Sequence, residues 1–161
     1  MQTRKPLRLQ SYDYSQNGVY FVTVCTREKL HTLGRVVGAG VPTGPHTALT
    51  EYGQIVESCI RRMPTVEKYV IMPNHIHLLV RLTEDGTVRT PSPTQTPDKG
   101  KGLPMVIRWL KRETTRRCGR PLWQRGYYDH VIRNEADYLV CWNYIDTNPT
   151  KWTEDCFYLS D

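Results

Sequence analysis

The stretch VEKYVIMPNHIHLLVRL, residues 66–82, decides the fold. Val66–Met72 and His75–Leu82 are rich in β-branched and aliphatic residues and read as strands. Pro73-Asn74 between them is a turn dipeptide, and a two-residue connection makes the pair a tight antiparallel hairpin. On the second strand His75 and His77 are i and i+2, so their imidazoles share one face while Ile76 points into the core. Two imidazoles about 7 Å apart along a strand can converge on one divalent cation. The plainer alternative is a pair of exposed strand histidines with no shared ligand. Zinc-finger spacing is absent around them, which argues against a structural zinc.

Working outward, Val19–Thr26 (VYFVTVCT) reads as a further buried strand. Gly34, Gly38, Gly40, Pro42, Gly44 and Pro45 mark residues 34–46 as an irregular excursion. Tyr52, Ile55, Val56, Cys59, Ile60 and Met63 recur at three- and four-residue spacing until Pro64, the pattern of a core-packing helix. Residues 83–102 (TEDGTVRTPSPTQTPDKGKG) hold almost nothing apolar and read as a mobile surface loop inside one domain spanning 1–161. A second helix starts at Leu103, with Pro104 in its first turn, Gly119 past its end, and Leu103, Val106, Ile107 and Leu110 as its apolar stripe. Tyr127–Arg133 reads as a short strand. Glu135 to about Thr147 reads as a third helix, with Tyr138, Cys141, Trp142 and Ile145 inward and Asn148-Pro149 ending it. The order β-α-β-β-α-β-α shows no internal repeat. It is satisfied most economically by an antiparallel sheet with helices packed on one face, of the split βαβ, ferredoxin-like or RRM-like kind. The expected fold class is α+β.

A chain of 161 residues and 18.8 kDa suits one core. It has no run of eighteen apolar residues and no apolar segment behind its basic N-terminus, so neither a transmembrane helix nor a secretory signal is expected. Five cysteines, an odd number without CxxC spacing, argue against a disulfide framework and a cysteine zinc site, and fit a reducing cytoplasm. The net charge is +6, and the window 101–133 concentrates it, with nine basic and two acidic residues. On the second helix Arg108, Lys111, Arg112 and Arg116 fall outside the apolar stripe with only Glu113 against them. Such a surface meets phosphates. Arg108, Lys111, Arg112, Arg116, Arg117, Arg120 and Arg125 are the candidate DNA contacts, with Trp109 or Trp123 as a stacking surface for an unpaired base. His130 is a further DNA-contact candidate, with a purely structural imidazole as the alternative.

Tyr144 and Asn148 are i and i+4 on the third helix and flank its apolar stripe, which leaves the tyrosine hydroxyl accessible. A phenol with a pKa of about 10 is a poor nucleophile near neutral pH. A cation at the histidines could polarise a phosphate for attack by that oxygen, leaving a covalent phosphotyrosine. Tyr128 and Tyr138 compete for the role, but Tyr138 lies in the core stripe and Tyr128 on a strand. Two other classes stay open: a catalytically silent nucleic-acid-binding protein, and a hydrolase whose histidines activate water. Against the hydrolase stands the lack of an obvious carboxylate cluster near the histidine strand.

Tyr69–Val80 (YVIMPNHIHLLV) resembles the HUH signature of the single-tyrosine transposases, above all the REP-associated tyrosine transposases. Residues 8–14 with 20–23, residues 123–134 (WQRGYYDHVIRN) and residues 138–149 are similar too, in the family's order over nearly the whole chain. The resemblance implies an RRM-like sheet with the histidine pair on a central strand, opposite a tyrosine-bearing C-terminal helix. It implies His75, His77 and Asn148 as ligands of Mg²⁺ or Mn²⁺, and Tyr144 as nucleophile. It further implies cleavage and rejoining of single-stranded DNA beside hairpins or palindromic repeats through a 5′-phosphotyrosine, by a nucleoid-associated monomer or homodimer with no membrane partner.

Overall fold

The computed structural model describes residue 13 and residues 17–83 and 102–158. The elements are β1 (Gly18–Cys25), β2 (Gly34–Val37), β3 (His46–Leu49), α1 (Glu51–Ile60), β4 (Val66–Ile71), β5 (His75–Leu82), α2 (Leu103–Cys118), β6 (Tyr128–Ile132) and α3 (Glu135–Thr147). Two short 3₁₀ turns, Arg27–Lys29 and Trp152–Glu154, follow β1 and α3. The expected loop over 83–102 lies almost wholly outside the described residues.

Strands β4-β5-β1-β6 form one antiparallel sheet in that order. The Pro73-Asn74 hairpin is present, closed by the Met72 amide donating to the His75 carbonyl at 2.8 Å. Period-2 alternation then divides the sheet. Tyr20, Val22 and Val24 with Ile76, Leu78 and Val80 face the larger core, which α1 and α2 complete with Val56, Ile60, Val106, Ile107 and Leu110. Val19 and Leu79 face the other way, where Cys141 and Ile145 of α3 cover them. The α+β class and the antiparallel sheet are as expected. The expectation that all helices pack on one face does not hold: α1 and α2 share one face, while α3 lies on the opposite one, over the histidines, because the outward-pointing Val19 and Leu79 also need cover.

Residues 34–46 are more ordered than their glycines and prolines suggest: β2 and β3 pair as a hairpin beside the main sheet. Helix α1 follows directly, its first turn capped by Thr50, whose hydroxyl accepts from the Gly53 amide at 3.2 Å. Gly53 allows α1 to press against the chain before β2, since a Cβ there would stand 2.1 Å from the Leu33 carbonyl oxygen. Helix α2 has Pro104 in its first turn and ends at Gly119 in the left-handed conformation (φ 66°). Helix α3 is capped by Asn134, which accepts from the Asp137 amide at 2.8 Å. The Lys68 ammonium lies 3.9 Å over the Trp142 ring and 2.6 Å from Asp146, which pins α3 to β4. No described helix is long and apolar enough to cross a membrane.

Candidate active site

His75 and His77 are buried at the start of β5, and their rings meet with Nε2 atoms 3.0 Å apart. The residue before them sets the geometry. Asn74 is fully buried although it sits in a turn, because its amide Nδ2 donates to the carbonyls of Lys29 (3.1 Å) and Phe157 (2.8 Å). This fixes Asn74 Oδ1 as an acceptor, 2.8 Å from His75 Nδ1. His75 therefore carries its proton on Nδ1 and directs the Nε2 lone pair at His77.

His77 is held differently. Its cross-strand partner Thr23 places Oγ1 2.8 Å from His77 Nδ1. A hydroxyl donates or accepts, so His77 has two satisfied arrangements. When Thr23 donates to Nδ1, His77 Nε2–H donates to His75. When Nδ1–H donates to Thr23, both Nε2 lone pairs open onto one space and suit a cation. Burial depresses both imidazoles, so each is neutral at physiological pH. For His75, burial outweighs the attraction of Asp155 and pushes the pKa down to about 4, with the Lys29 charge adding to the drop. For His77, burial and then the neighbouring His75 push it well below 6.5.

The third donor is Asp155, just after the 3₁₀ turn that follows α3. Its side chain is 1% exposed, and Oδ2 lies 3.8 Å from His75 Nε2. One donor atom from each of His75, His77 and Asp155 falls within 4.8 Å of the others, and a cation with bonds of about 2.1 Å nearly spans that set as it stands. Asn148, 2% exposed, donates from Nδ2 to Asp155 Oδ2 at 3.0 Å, while its own Oδ1 is buried without a hydrogen-bond partner. Two neutral imidazoles, a buried carboxylate and an orphaned amide oxygen form a donor set that fits a divalent cation.

Tyr144 stands at the mouth of this cluster. Its ring centroid lies 5.2 Å from that of His77 and 5.8 Å from that of Phe21, and it is 39% exposed. The hydroxyl donates to Asp155 Oδ2 at 3.4 Å. Burial, then the Asp155 charge, pushes the phenol up to about 12. Phe157 closes the far side against His75, ring to ring at 4.7 Å, with Lys29 Nζ 5.5 Å above its own ring.

The structure thus gathers His75, His77, Tyr144 and Asn148, as expected, and adds Thr23, Asn74, Lys29 and Asp155. Asp155 is the carboxylate that the sequence around the histidine strand does not reveal. The one signal pointing to it is the acidic excess of residues 134–161 beside the aromatic run Trp152 to Tyr158.

The candidate DNA contacts separate. Helix α2 covers the face of the sheet opposite the histidines, so Arg108, Arg112 and Arg116 do not share a surface with Tyr144. The Lys111 ammonium is spent on the Gln124 (2.8 Å) and Gly126 carbonyls. Arg116 is clamped by Glu113 at 2.7 Å, and Arg117 donates to Ser58 at 2.7 Å. Trp109 and Trp123 are buried, and the Trp123 indole donates to Thr114 at 2.7 Å, so neither ring is open to a base. His130 is paired with Asp137 at 2.8 Å. Arg125 is exposed and follows Gln124, whose amide bonds the Cys25 carbonyl beside His75, whereas the Arg120 guanidinium lies 5.5 Å over the Tyr52 ring of α1, on the other face. Tyr138 donates to Glu67 at 3.0 Å, away from the histidines. Tyr128, 47% exposed, has its ring 6.1 Å from that of Phe157.

No protein-family model matches the chain. It is 30% identical over 174 residues to an uncharacterised protein of Haemophilus influenzae, an alignment covering 97% of this chain and 93% of that one. It is 24% identical over 143 residues to a REP-associated tyrosine transposase of Escherichia coli K12, covering 86% of this chain and 70% of the relative. Among solved structures, that of a REP-associated tyrosine transposase bound to a REP hairpin superposes with a TM-score of 0.59 over 90% of this chain and 74% of the other, at 24% identity. That likeness is one of fold, and it matches the sheet described above. With relatives of this extent in sequence, and with the histidine pair and Tyr144 brought together on one face, the chain belongs to the HUH family of REP-associated tyrosine transposases.

Proposed function

We propose that the chain is a metal-dependent single-stranded DNA endonuclease and strand transferase, acting beside hairpins or palindromic repeats through a 5′-phosphotyrosine. One observation carries the reading: the exposed Tyr144 phenol stands over a buried set of two histidines and a carboxylate. His75, His77 and Asp155 would hold Mg²⁺ or Mn²⁺, with Asn148 steadying Asp155 through Nδ2 and offering Oδ1. A bound ion would supply electrophilic polarisation of the scissile phosphate and stabilise charge developing on its oxygens. Tyr144 Oη attacks phosphorus, the bond from phosphorus to the 3′-oxygen breaks, and the strand leaves with a 3′-hydroxyl. The phenolic proton leaves to solvent, to which Tyr144 is open, and the departing oxygen takes a proton from solvent. The ester is conserved, so rejoining requires no nucleotide triphosphate. Lys29 and Arg125 supply positive charge at this end of the sheet for the backbone of the strand.

The reading is tested with end-labelled single-stranded hairpin DNA and its flanks, incubated with Mg²⁺, Mn²⁺ or EDTA and run on a denaturing gel. A protein–DNA adduct is expected with metal, absent with EDTA, and lost in Tyr144→Phe and His77→Ala. Cleavage without an adduct makes water the nucleophile. Binding with neither product leaves a nucleic-acid-binding protein.

A further inference from the structure

Away from the histidine pair, β6 and α3 bring a second group of metal-ligating side chains together. His130, Asp137 and Cys141 each offer one donor atom, and the three atoms lie within 4.8 Å of one another. The elements explain the placement. His130 is in register with Phe21, so its side chain stands on the sheet face that α3 crosses. Asp137 and Cys141 are i and i+4 on α3 and lie one above the other. The three are graded in depth: Cys141 is 8% exposed, the Asp137 side chain 26% and the His130 side chain 53%. They form a cup with a thiol at its floor and an opening to solvent.

We propose that this cup is a second metal site, taking Zn²⁺ through Cys141 Sγ, an Asp137 oxygen and His130 Nε2, with water as the fourth ligand. One thiolate, one carboxylate and one imidazole suit tetrahedral Zn²⁺, and the thiolate is a ligand that a hard ion such as Mg²⁺ does not take. The thiolate is what sets this cup apart from the histidine site, whose three donors include none. His130 Nε2 lies 2.9 and 2.8 Å from the two Asp137 oxygens, so an ion entering there replaces the proton that joins them. It also displaces the Cys141 proton, and both leave to solvent. The absence of CxxC spacing does not bear on such a site, because its ligands come from a strand and a helix and a single cysteine suffices. Its position gives it a use. Among the described residues of α3 the buried anchors are Cys141 and Ile145, and Tyr144 lies between them. An ion at Cys141 and Asp137 ties the first half of that helix to β6, and so holds the helix that presents Tyr144. This inference does not depend on the chemistry proposed for Tyr144.

Cobalt reports on it directly. The full chain is freed of metal by a chelator and titrated with Co²⁺, then with Zn²⁺. A thiolate-to-cobalt charge-transfer band in the near ultraviolet is expected at one equivalent, erased by Zn²⁺. Cys141→Ser should lose the band, and His130→Ala, at the exposed rim where folding is not at risk, should weaken Co²⁺ about tenfold or more. His77→Ala should keep the band, which separates this site from the first. Circular dichroism confirms that each variant is folded. No band in the wild type makes His130–Asp137 an ordinary ion pair beside a core thiol and overturns the proposal. A band surviving in Cys141→Ser overturns it too, by placing the thiolate elsewhere, for instance at Cys156 beside Asp155.

Discussion

Asn74 acts on the site without facing it. By spending both amide hydrogens on backbone carbonyls it commits His75 to one tautomer, while Thr23 leaves His77 free to take either. Burial holds both imidazoles neutral, and this has a consequence in acid. The folded His75 pKa of about 4 lies below the ordinary 6.5, so the unfolded chain binds more protons between those values. The stability gained from a neutral, buried His75 is present above pH 6.5 and is lost as pH falls towards 4. In EDTA, the Tm should therefore drop between pH 7 and pH 5, and a His75→Gln variant, which cannot charge, should show a smaller drop. An equal drop in both would place the acid sensitivity elsewhere. The histidines were legible in sequence because a strand's period of two forces residues 75 and 77 to one face. Asp155 was not, since a residue beside a 3₁₀ turn has no periodicity and nothing local declares what it folds against. The arginines show a related limit: composition counts cations and does not say that Glu113 or Ser58 has already engaged them.

At the scale of the element, α3 is the part whose placement matters most. Its outer side leaves Leu139 50% and Val140 67% exposed, so apolar residues run around much of it. The helix was legible nonetheless, because Tyr138, Cys141, Trp142 and Ile145 recur at helical spacing and Asn148-Pro149 ends it. Asn134→Ala should remove the cap and cost about 1 kcal/mol. Ile145→Ala, at 2% exposure, should cost about 2–5 kcal/mol through the cavity it leaves. Chemical denaturation measures both, and a cost for Ile145→Ala no larger than that for Asn134→Ala would mean that α3 is not anchored where the structure puts it. The β2–β3 hairpin was read as irregular because glycine and proline dominate its composition. Its strands are four residues each, too short for alternation to stand out against that background.

At the scale of the molecule, the sheet separates the basic helix from the histidine face. On the proposed function, a strand of DNA reaching Tyr144 would meet the end of the sheet where Gln124 joins β1, not the outer face of α2. Arg125→Ala should therefore weaken hairpin binding and reduce the slope of log K against log salt by about 1, at ~0.7–0.9 for the phosphate left without its cation. Arg116→Ala, already paired with Glu113, should leave the slope nearly unchanged. Fluorescence anisotropy across a salt series measures both, and the reverse order would put the DNA on α2. The fold class was legible because element order and hairpin chemistry constrain topology. The side of the sheet that α3 takes was not, since an amphipathic stripe reports that a helix packs and not on which face.

The two cores are also unequal. The face shared with α1 and α2 holds the large, continuous cluster, while α3 rests on a handful of side chains. Partial opening of a domain starts where the least apolar surface must be exposed, and here that is the α3 face. Thermal fluctuation should therefore lift the tyrosine helix from the sheet before it disturbs the other layer. The backbone amides of α3 should then trade their hydrogens with water while β1, β5 and the helices behind them keep theirs. The molecule is a rigid plate with one loosely hinged cover, and the proposed nucleophile, Tyr144, rides on the cover.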